Sequence, residues 1–259
     1  MSGFLFNEII FGPLKSRRLG ISLGINLLPT NHKVCNYNCV YCECGWNQEL
    51  NAEDIKLPGR TEIKNALQDR LIQLKNENMP LDSITFAGNG EPTMHPEFAG
   101  IVRDTLALRD QYMPGVKVAV LSNASMIGDP KVFAALMKLD YNIQKLDAGF
   151  QGLFELINNP VLPINFSGMI RDLRKFNEKV IIQSLFLRGN YKGDIVDNTT
   201  ETEVGEWLNH LSVIRPSMVM IYPISRATQI QNLEKIGTFE LEIIAEKVRK
   251  LGIEAKVYN

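Results

Sequence analysis

The segment GISLGINLLPTNHKVCNYNCVYCECG, residues 20–45, joins an apolar stretch to a cysteine-rich loop. Its first part, residues 20–28, has the composition of a buried strand. The four cysteines of the chain all follow within the loop, at Cys35, Cys39, Cys42 and Cys44. Cysteines that staple a fold are spread along it, whereas a tight group in a reduced compartment indicates a metal or cofactor site.

Strands and helices alternate along the rest of the chain. Further strands are predicted at residues 83–87, 117–121, 142–146, 180–187, 218–222 and 253–258. Helices are predicted at residues 61–76, with Thr61 as N-cap, after Pro96 and Pro130, and at residues 166–176, 202–211 and 239–251. This alternation predicts a parallel sheet with helices outside it. Six βα units and a terminal strand favour an α/β fold of the partial (β/α)6 TIM type, and a doubly wound open sheet is the alternative.

The 259 residues are expected to form a single domain. Within it we distinguish an N-terminal segment, residues 1–19, a partial-barrel core, residues 20–223, and a C-terminal helix and strand, residues 224–259. A net charge of −1 argues against binding of nucleic acid by bulk electrostatics, and DNA is not an expected partner. The short basic patch of Lys15, Arg17 and Arg18 is either a solvated turn or a phosphate site.

Neither a membrane span nor a secretory signal is expected. No apolar run approaches the roughly 20 residues that a membrane-spanning helix needs. The N-terminal residues place apolar side chains before basic ones, which is the reverse of a secretory signal. A cytoplasmic protein with reduced thiols is therefore expected.

Three of the cysteines form the pattern C-x3-C-x2-C, with Cys35, Cys39 and Cys42. Three thiolates so close in sequence can hold a 4Fe–4S cluster and leave one iron open to another ligand. The spacing differs from that of bacterial ferredoxins. A structural zinc site would need a second ligand pair, for which only His32 is near. Cys44 is expected to be an unligated thiol, the alternative being a fourth ligand.

The pattern C-x3-C-x-Φ-C after a first strand, with Tyr41 as the aromatic residue Φ, resembles the signature of the radical S-adenosylmethionine (SAM) superfamily. The resemblance implies a 4Fe–4S cluster whose open iron chelates the amino and carboxylate groups of SAM. An external one-electron donor of the flavodoxin or ferredoxin type then reduces the cluster. SAM is cleaved to methionine and a 5′-deoxyadenosyl radical, which abstracts hydrogen from a substrate.

Residues that follow the other strands also resemble SAM-binding positions of that superfamily. Gly88, Asn89, Gly90 and Glu91 resemble its GGEP motif for the methionine amino group, with Asn89 in place of a glycine. Ser122 and Asn123, and likewise Lys145 and Asp147, resemble positions that contact the ribose and the carboxylate. An N-cap is the alternative role for Ser122 and Asn123, and a solvated ion pair is the alternative for Lys145 and Asp147.

Two later strands carry the remaining candidates for contacts to SAM. In residues 180–187 strand alternation points one of the polar neighbours Gln183 and Ser184 inward, and Gln183 is taken as the contact. Tyr222, at the end of residues 218–222, corresponds to an apolar contact for adenine, with plain barrel core as the alternative.

Within the superfamily the chain is most similar to the tRNA wyosine-synthase-like iron–sulfur oxidoreductases. The similarity lies in FGPLKSRRLGISLGINLLP, residues 11–29, and YPISR, residues 222–226. No cysteine precedes Cys35, so ligands for that group's second cluster are missing and its pyruvate-condensing reaction is not expected. The resemblance implies a (t)RNA base or nucleoside as substrate. Alternatives are an activating enzyme for a protein glycyl radical, a non-catalytic iron–sulfur electron carrier and a zinc-bound interaction module.

Overall fold

The computed structural model describes residues 3–49, 55–226 and 228–259. In chain order its elements are β1 (Ile10–Ser16), β2 (Gly20–Ile25), α1 (Arg60–Asn76), β3 (Ser83–Phe86), α2 (Phe98–Tyr112), β4 (Lys117–Ser122), α3 (Pro130–Leu136), β5 (Tyr141–Lys145), α4 (Gln151–Asn158), α5 (Phe166–Arg174), β6 (Ile181–Tyr191), β7 (Asp194–Asp197), α6 (Glu201–Ile214), β8 (Met218–Pro223), β9 (Leu233–Lys235), α7 (Thr238–Arg249) and β10 (Glu254–Val257). Short 3-10 helices span Pro92–Met94 and Asn177–Lys179.

The strands form one sheet of a partial α/β barrel. Strands β2, β3, β4, β5, β6, β8 and β10 are parallel neighbours in that order, and β1 pairs antiparallel with β2 at one edge. Strands β7 and β9 both pair antiparallel with the outer part of β6. No pairing between β1 and β10 closes the sheet in the described residues, so the predicted partial α/β barrel is confirmed.

Side-chain alternation separates the interior of the barrel from the helix layer. Ala119, Ile143, Ile181 and Met220 come from four successive parallel strands and form one buried cluster with Leu19. Their neighbours along the strands, such as Val118 and Ile182, belong to the larger core beneath the helices. Because side chains alternate between the two faces of a strand, apolar strands of this kind are buried on both sides.

Several helix starts differ from the sequence prediction. Helix α1 is capped by Gly59, so Thr61 lies inside the helix and is not its N-cap. Pro96 lies before α2 rather than at its first position. The prediction for α3 is confirmed, because Pro130 is in its first turn and the Asp129 side chain accepts from the Lys131 N–H at 2.7 Å. Strands β1, β7 and β9 and helix α4 were not predicted.

The parallel strands bring the segments after their carboxyl ends to one end of the barrel. These segments contain the cysteine loop after β2 and the polar residues after β3, β4 and β5. Ligands of α/β barrels bind at this end of the strands. Among the described residues, no helix has both the length and the apolar character of a membrane span.

Candidate functional site

The cysteine loop is fastened to the turn after β3 by backbone hydrogen bonds. The N–H of Val34 donates to the carbonyl of Asn89 at 2.9 Å, and the N–H of Glu91 donates to the carbonyl of Val34 at 3.1 Å. Gly90, with φ of +144°, lies so close to Val34 that a β-carbon would overlap its carbonyl oxygen. Glycine is required here because the chain must approach closely at a positive φ.

The other two residues of this turn support the N-terminal segment. Gly88, with φ of +139°, lies against the side chain of Asn26. The Asn89 side chain is fully buried, and its Nδ2 donates to the carbonyls of Phe6 and Pro29, both at 2.8 Å. Its Oδ1 accepts from the N–H of Phe6 at 2.8 Å. Asn89 therefore points away from the cysteines, because its amide is occupied in holding the chain around β2.

A cavity of about 160 Å³ lies between the cysteine loop and the carboxyl ends of the strands. All four cysteines line it, together with most of the candidate SAM contacts. Those contacts are Tyr41, Gly88, Gly90, Glu91, Ser122, Asn123, Lys145 and Gln183. The cysteine loop and the ends of β3, β4, β5 and β6 thus contribute to one site.

Amide groups surround two of the cysteine sulfurs. The Sγ of Cys35 accepts from the N–H of Tyr37 at 3.4 Å and lies 3.6 Å from Nδ2 of Asn123. The Sγ of Cys39 lies 3.5 Å from Nδ2 of Asn158. Hydrogen bonds to sulfur stabilise thiolate ligands and adjust the potential of an iron–sulfur cluster. The donor groups therefore favour a negatively charged, sulfur-ligated group.

Burial and hydrogen bonding act on the individual thiols in opposite directions. Burial raises the pKa of Cys35 to about 12. The pKa of Cys42 falls to about 6, because the neighbouring Cys44 thiol donates toward it and Lys33 adds positive charge. Lys33 is itself buried, and its Nζ donates to the carbonyl of Gly45 at 3.0 Å. No sequence pattern marks Lys33 as a site residue apart from its position two residues before Cys35.

Glu91 connects the turn after β3 with the end of β4. One carboxylate oxygen accepts from the N–H of Asn123 at 2.6 Å, and the other accepts from the N–H of Thr93 at 3.0 Å. Burial raises the pKa of Glu91. Ser122 and Asn123 do not cap a helix, because α3 begins at Pro130 under Asp129; their side-chain oxygens instead accept from backbone N–H groups two residues on.

A buried polar network lies behind the cavity on β5, β6 and β8. Lys145 and Asp147 are 3.5 Å apart, with side-chain exposures of 16% and 0%, so they are not a solvated ion pair. The hydroxyl of Tyr222 is 2.5 Å from Nζ of Lys145 and accepts from Nε2 of Gln183 at 2.7 Å. Burial alone would lower the pKa of Lys145, but Asp147 and Tyr222 raise it above its ordinary value.

The carboxylate of Asp147 is fully used within the protein. Its Oδ1 accepts from the N–H of Leu185 at 2.9 Å, and its Oδ2 accepts from the hydroxyl of Tyr41 at 2.5 Å and from Nδ2 of Asn158 at 3.0 Å. Among the candidate contacts, Asn89, Asp147 and Tyr222 do not line the cysteine cavity. They position the residues that do. Gln183 points inward, whereas Ser184 points to the helix layer and donates to the carbonyl of Leu146.

The donor set fits a cluster with several irons. No group of three or more His, Cys, Asp or Glu side chains in the described residues is arranged around one metal ion. Three cysteines in one loop, amide donors on their sulfurs and the nearby cations Lys33 and Lys145 fit a 4Fe–4S cluster. The remaining polar wall of the cavity fits a charged organic cofactor beside it.

Fold and site together define a cofactor-dependent enzyme of the α/β-barrel class, with its cysteine site at the strand ends. The profile of the Radical SAM superfamily matches residues 32–197, and the chain belongs to this superfamily. Its cofactors are a 4Fe–4S cluster and SAM, and an enzyme of this kind depends on an external electron donor.

Two relatives and one solved structure illustrate the similarity. A "UPF0026 protein" of Helicobacter pylori strain 26695 is 35% identical over 184 residues, which cover 70% of this chain and 57% of that protein. A protein named "GTPase Obg" from Brachyspira hyodysenteriae is 30% identical over 233 residues, covering 90% of this chain and 32% of that protein. A radical SAM methyltransferase from Sphaerobacter thermophilus shares the fold, with a TM-score of 0.65 at 12% identity over 91% of this chain and 65% of that one.

The chain thus spans less than two thirds of either relative. The name of the second relative does not carry over to this chain. GTPases bind phosphate with a G-x4-G-K-[ST] loop, and the sequence contains no Gly-Lys pair.

Proposed function

We propose that Cys35, Cys39 and Cys42 hold the cluster and that SAM binds in the same cavity. The enzyme then abstracts hydrogen from a base or nucleoside of RNA, with tRNA as the first candidate. When bound, the cluster would pass one electron from the external donor to SAM, and this electron would break a carbon–sulfur bond of SAM. The main support for this proposal is that one cavity is lined both by the cysteines and by polar residues from β3 to β6. A non-catalytic electron carrier would need the cysteines but not this polar wall.

The residues of the wall have distinct tasks in this proposal. Gly88 and Gly90 expose the backbone beside the cysteines for a donor such as the methionine amino group. Asp147 and Tyr222 hold Lys145 protonated at Nζ. In this proposal its ammonium group faces the carboxylate of SAM. Ser122, Asn123 and Gln183 offer hydrogen bonds to hydroxyl groups. The apolar side chains of Leu121 and Ile143 exclude water from the same cavity.

The substrate class follows from the similarity to wyosine-synthase-like proteins together with the basic hairpin between β1 and β2. Lys15, Arg17 and Arg18 are close in sequence and form no ion pair among the described residues. Free cations of this kind suit a phosphate-bearing substrate. The competing candidate, activation of a protein glycyl radical, does not require them. The electron donor is expected to be of the flavodoxin or ferredoxin type.

The first experiment reconstitutes the protein anaerobically with iron and sulfide and adds SAM and dithionite. We expect 5′-deoxyadenosine from the unaltered chain and none from Cys42→Ala. Cys44→Ser is the matched control and should retain iron and sulfide, because the fourth cysteine is not needed as a ligand. A brown protein that neither binds nor cleaves SAM would support the electron carrier instead.

A second experiment addresses the substrate. Bulk tRNA should shift the reconstituted protein in a gel, and the affinity should fall as salt rises, since phosphate contacts release counterions. Absence of a shift at low salt, with a peptide glycine accepted instead, would favour the protein-activating candidate.

A further inference from the structure

A second cavity, of about 240 Å³, lies inside the barrel next to the cysteine cavity. We call it the hairpin chamber, because the β1–β2 hairpin forms its rim. It is lined by Ser22 and Gly24 of β2, by Thr85 of β3 and by Ala87, which follows β3. Leu121 lines both cavities, so a molecule in the chamber is adjacent to the cofactor site.

The rim of the chamber is strongly cationic. Lys15, Arg17, Arg18 and Arg226 line it, and Glu43 is the one carboxylate among its described lining residues. Arg226 pairs with Glu43 at 2.6 Å, and Nη2 of Arg17 donates to Ser225 at 3.0 Å. The rim therefore has an excess of positive charge, which comes from the β1–β2 hairpin and from the segment after β8.

Arg18 is the half-buried cation of this rim, whereas Lys15, Arg17 and Arg226 are exposed. Its Nη1 is buried and has no hydrogen-bond partner among the described residues. Its guanidinium lies over the ring of Tyr222, 4.7 Å from the ring centre, which orients the group without using its N–H donors. An unpaired buried donor on a charged group is costly unless a ligand satisfies it. The position of Arg18 thus indicates an anion in the chamber.

Apolar side chains line the chamber together with the cations. The ring of Phe11 is stacked on Phe6 with centroids 3.6 Å apart, and it lies against Gly24, where a β-carbon would overlap it. Phe11, Leu19 and Leu121 all line the chamber. Apolar side chains beside several guanidinium groups fit an organic group that carries a phosphate.

We propose that the hairpin chamber binds the phosphate of a nucleotide substrate, with Arg18 as the central contact and Lys15, Arg17 and Arg226 around it. This inference rests on the proposed function, since it assigns a substrate class to that same enzyme. An arriving phosphate competes with Glu43 for Arg226. Glu43 lies between Cys42 and Cys44, so phosphate binding that breaks its ion pair with Arg226 also affects the cysteine loop.

The test measures binding and needs no turnover. Protein is reconstituted anaerobically and saturated with SAM, so that the probes do not enter the cofactor site. Calorimetry then compares the four ribonucleoside 5′-monophosphates with their parent nucleosides. We expect the best monophosphate to bind at least about tenfold more tightly than its nucleoside. Equal dissociation constants would overturn the proposal.

Matched variants locate the site. Arg18→Gln should bring the affinity for the monophosphate down to that of the nucleoside, whereas Arg174→Gln, an exposed arginine outside the chamber, should not change it. Lys15→Gln, at an exposed position where misfolding is not expected, should lower the affinity for the monophosphate about threefold or more. Unchanged affinity in both chamber variants contradicts the assignment.

Competition separates phosphate from other anions. Inorganic phosphate should displace the monophosphate at lower concentration than succinate does, and equal competition would show a general anion site rather than a phosphate site. Because binding is read directly, a chain that binds monophosphates through Arg18 but forms no 5′-deoxyadenosine would refute the proposed function alone. A chain that cleaves SAM but binds nucleoside and monophosphate equally would refute this inference alone.

Discussion

Gly90 and Val34 are in direct backbone contact, and this contact joins the turn after β3 to the loop that carries the cysteines. A β-carbon at position 90 would occupy the place of the Val34 carbonyl oxygen. The glycine of the GNGEP turn therefore holds the cysteine loop, one residue before Cys35, at the end of the sheet. The close approach that the turn permits is therefore a contact between two segments of the protein chain.

Gly90→Ala should disrupt the site. Overpacking and a positive φ each cost roughly 1–3 kcal/mol, so we expect a loss of about 3 kcal/mol or more in the free energy of unfolding, or displacement of the cysteine loop. Urea unfolding and the iron content after reconstitution measure the two effects. Gly205→Ala in α6 is the control, because a β-carbon there meets nothing, and it should stabilise by up to about 1 kcal/mol. Normal stability and iron content in Gly90→Ala would contradict this role.

Lys145 and Asp147 should behave as one buried unit. Removing one member of a buried pair typically costs about 3–5 kcal/mol, because the other charge is left uncompensated. Asp147→Asn is therefore expected to destabilise the protein and to weaken SAM binding, since Lys145 and Tyr41 lose their partner. The double variant Lys145→Met with Asp147→Asn should recover part of the stability. A double-mutant cycle with a coupling energy near zero would refute this interpretation.

The sequence pattern predicted the parallel strands well, because each is an apolar run bounded by turn residues. Strand β1 was not predicted, because Gly12 and Pro13 interrupt it and a proline within an apolar run argues against a central strand. The structure resolves the conflict with a shift of register between Phe11 and Leu14, at the edge of the sheet. Helix α4 is only 8 residues long, too short for a clear helical period.

For the site, the sequence could predict which residues stand at strand ends but not where their side chains point. Asp147 turns to the N–H of Leu185 and Asn89 to Phe6, both contacts between residues distant in sequence. Such orientations depend on which backbone donors are left unpaired after the sheet forms, which no local pattern reveals. Lys33 was missed for a similar reason, because an isolated lysine in a loop is ordinarily solvated.

His95 should contribute to the pH dependence of stability. Its neutral ring donates from Nε2 to the carbonyl of Pro58 at 3.0 Å and accepts at Nδ1 from the N–H of Glu97 at 3.1 Å. Burial lowers its pKa below the ordinary value of about 6.5. The folded state therefore binds this proton less readily than the unfolded state does. The contribution is complete above pH ~6.5 and is lost as the pH falls through the folded pKa.

Thermal or urea unfolding between pH 7.5 and about pH 5 measures this effect. His95→Gln keeps a donor and an acceptor but does not titrate, so its stability should fall less over that range. The difference in slope cannot exceed about 1.4 kcal/mol per pH unit for one proton. Parallel curves for the two proteins would show that His95 is not the group responsible.

Asn142 and Gln144 form an incomplete polar pair on the face of β5 that packs against the helices. Nε2 of Gln144 donates to Oδ1 of Asn142 at 2.6 Å, while Nδ2 of Asn142 and Oε1 of Gln144 have no partner among the described residues. Both side chains are almost fully buried. A half-satisfied buried pair is less favourable than an apolar one, since each unmet group costs roughly 1–3 kcal/mol.

The double variant Asn142→Val with Gln144→Leu should therefore be more stable than the unaltered protein by about 1 kcal/mol, as measured by urea unfolding at constant m-value. Each single variant should be less stable than the double, because the remaining amide then has no partner at all. This pair faces away from the cysteine cavity, so iron content and SAM affinity should not change. A double variant that unfolds more easily than the unaltered protein would mean that the two amides are satisfied in solution, and that β5 needs them.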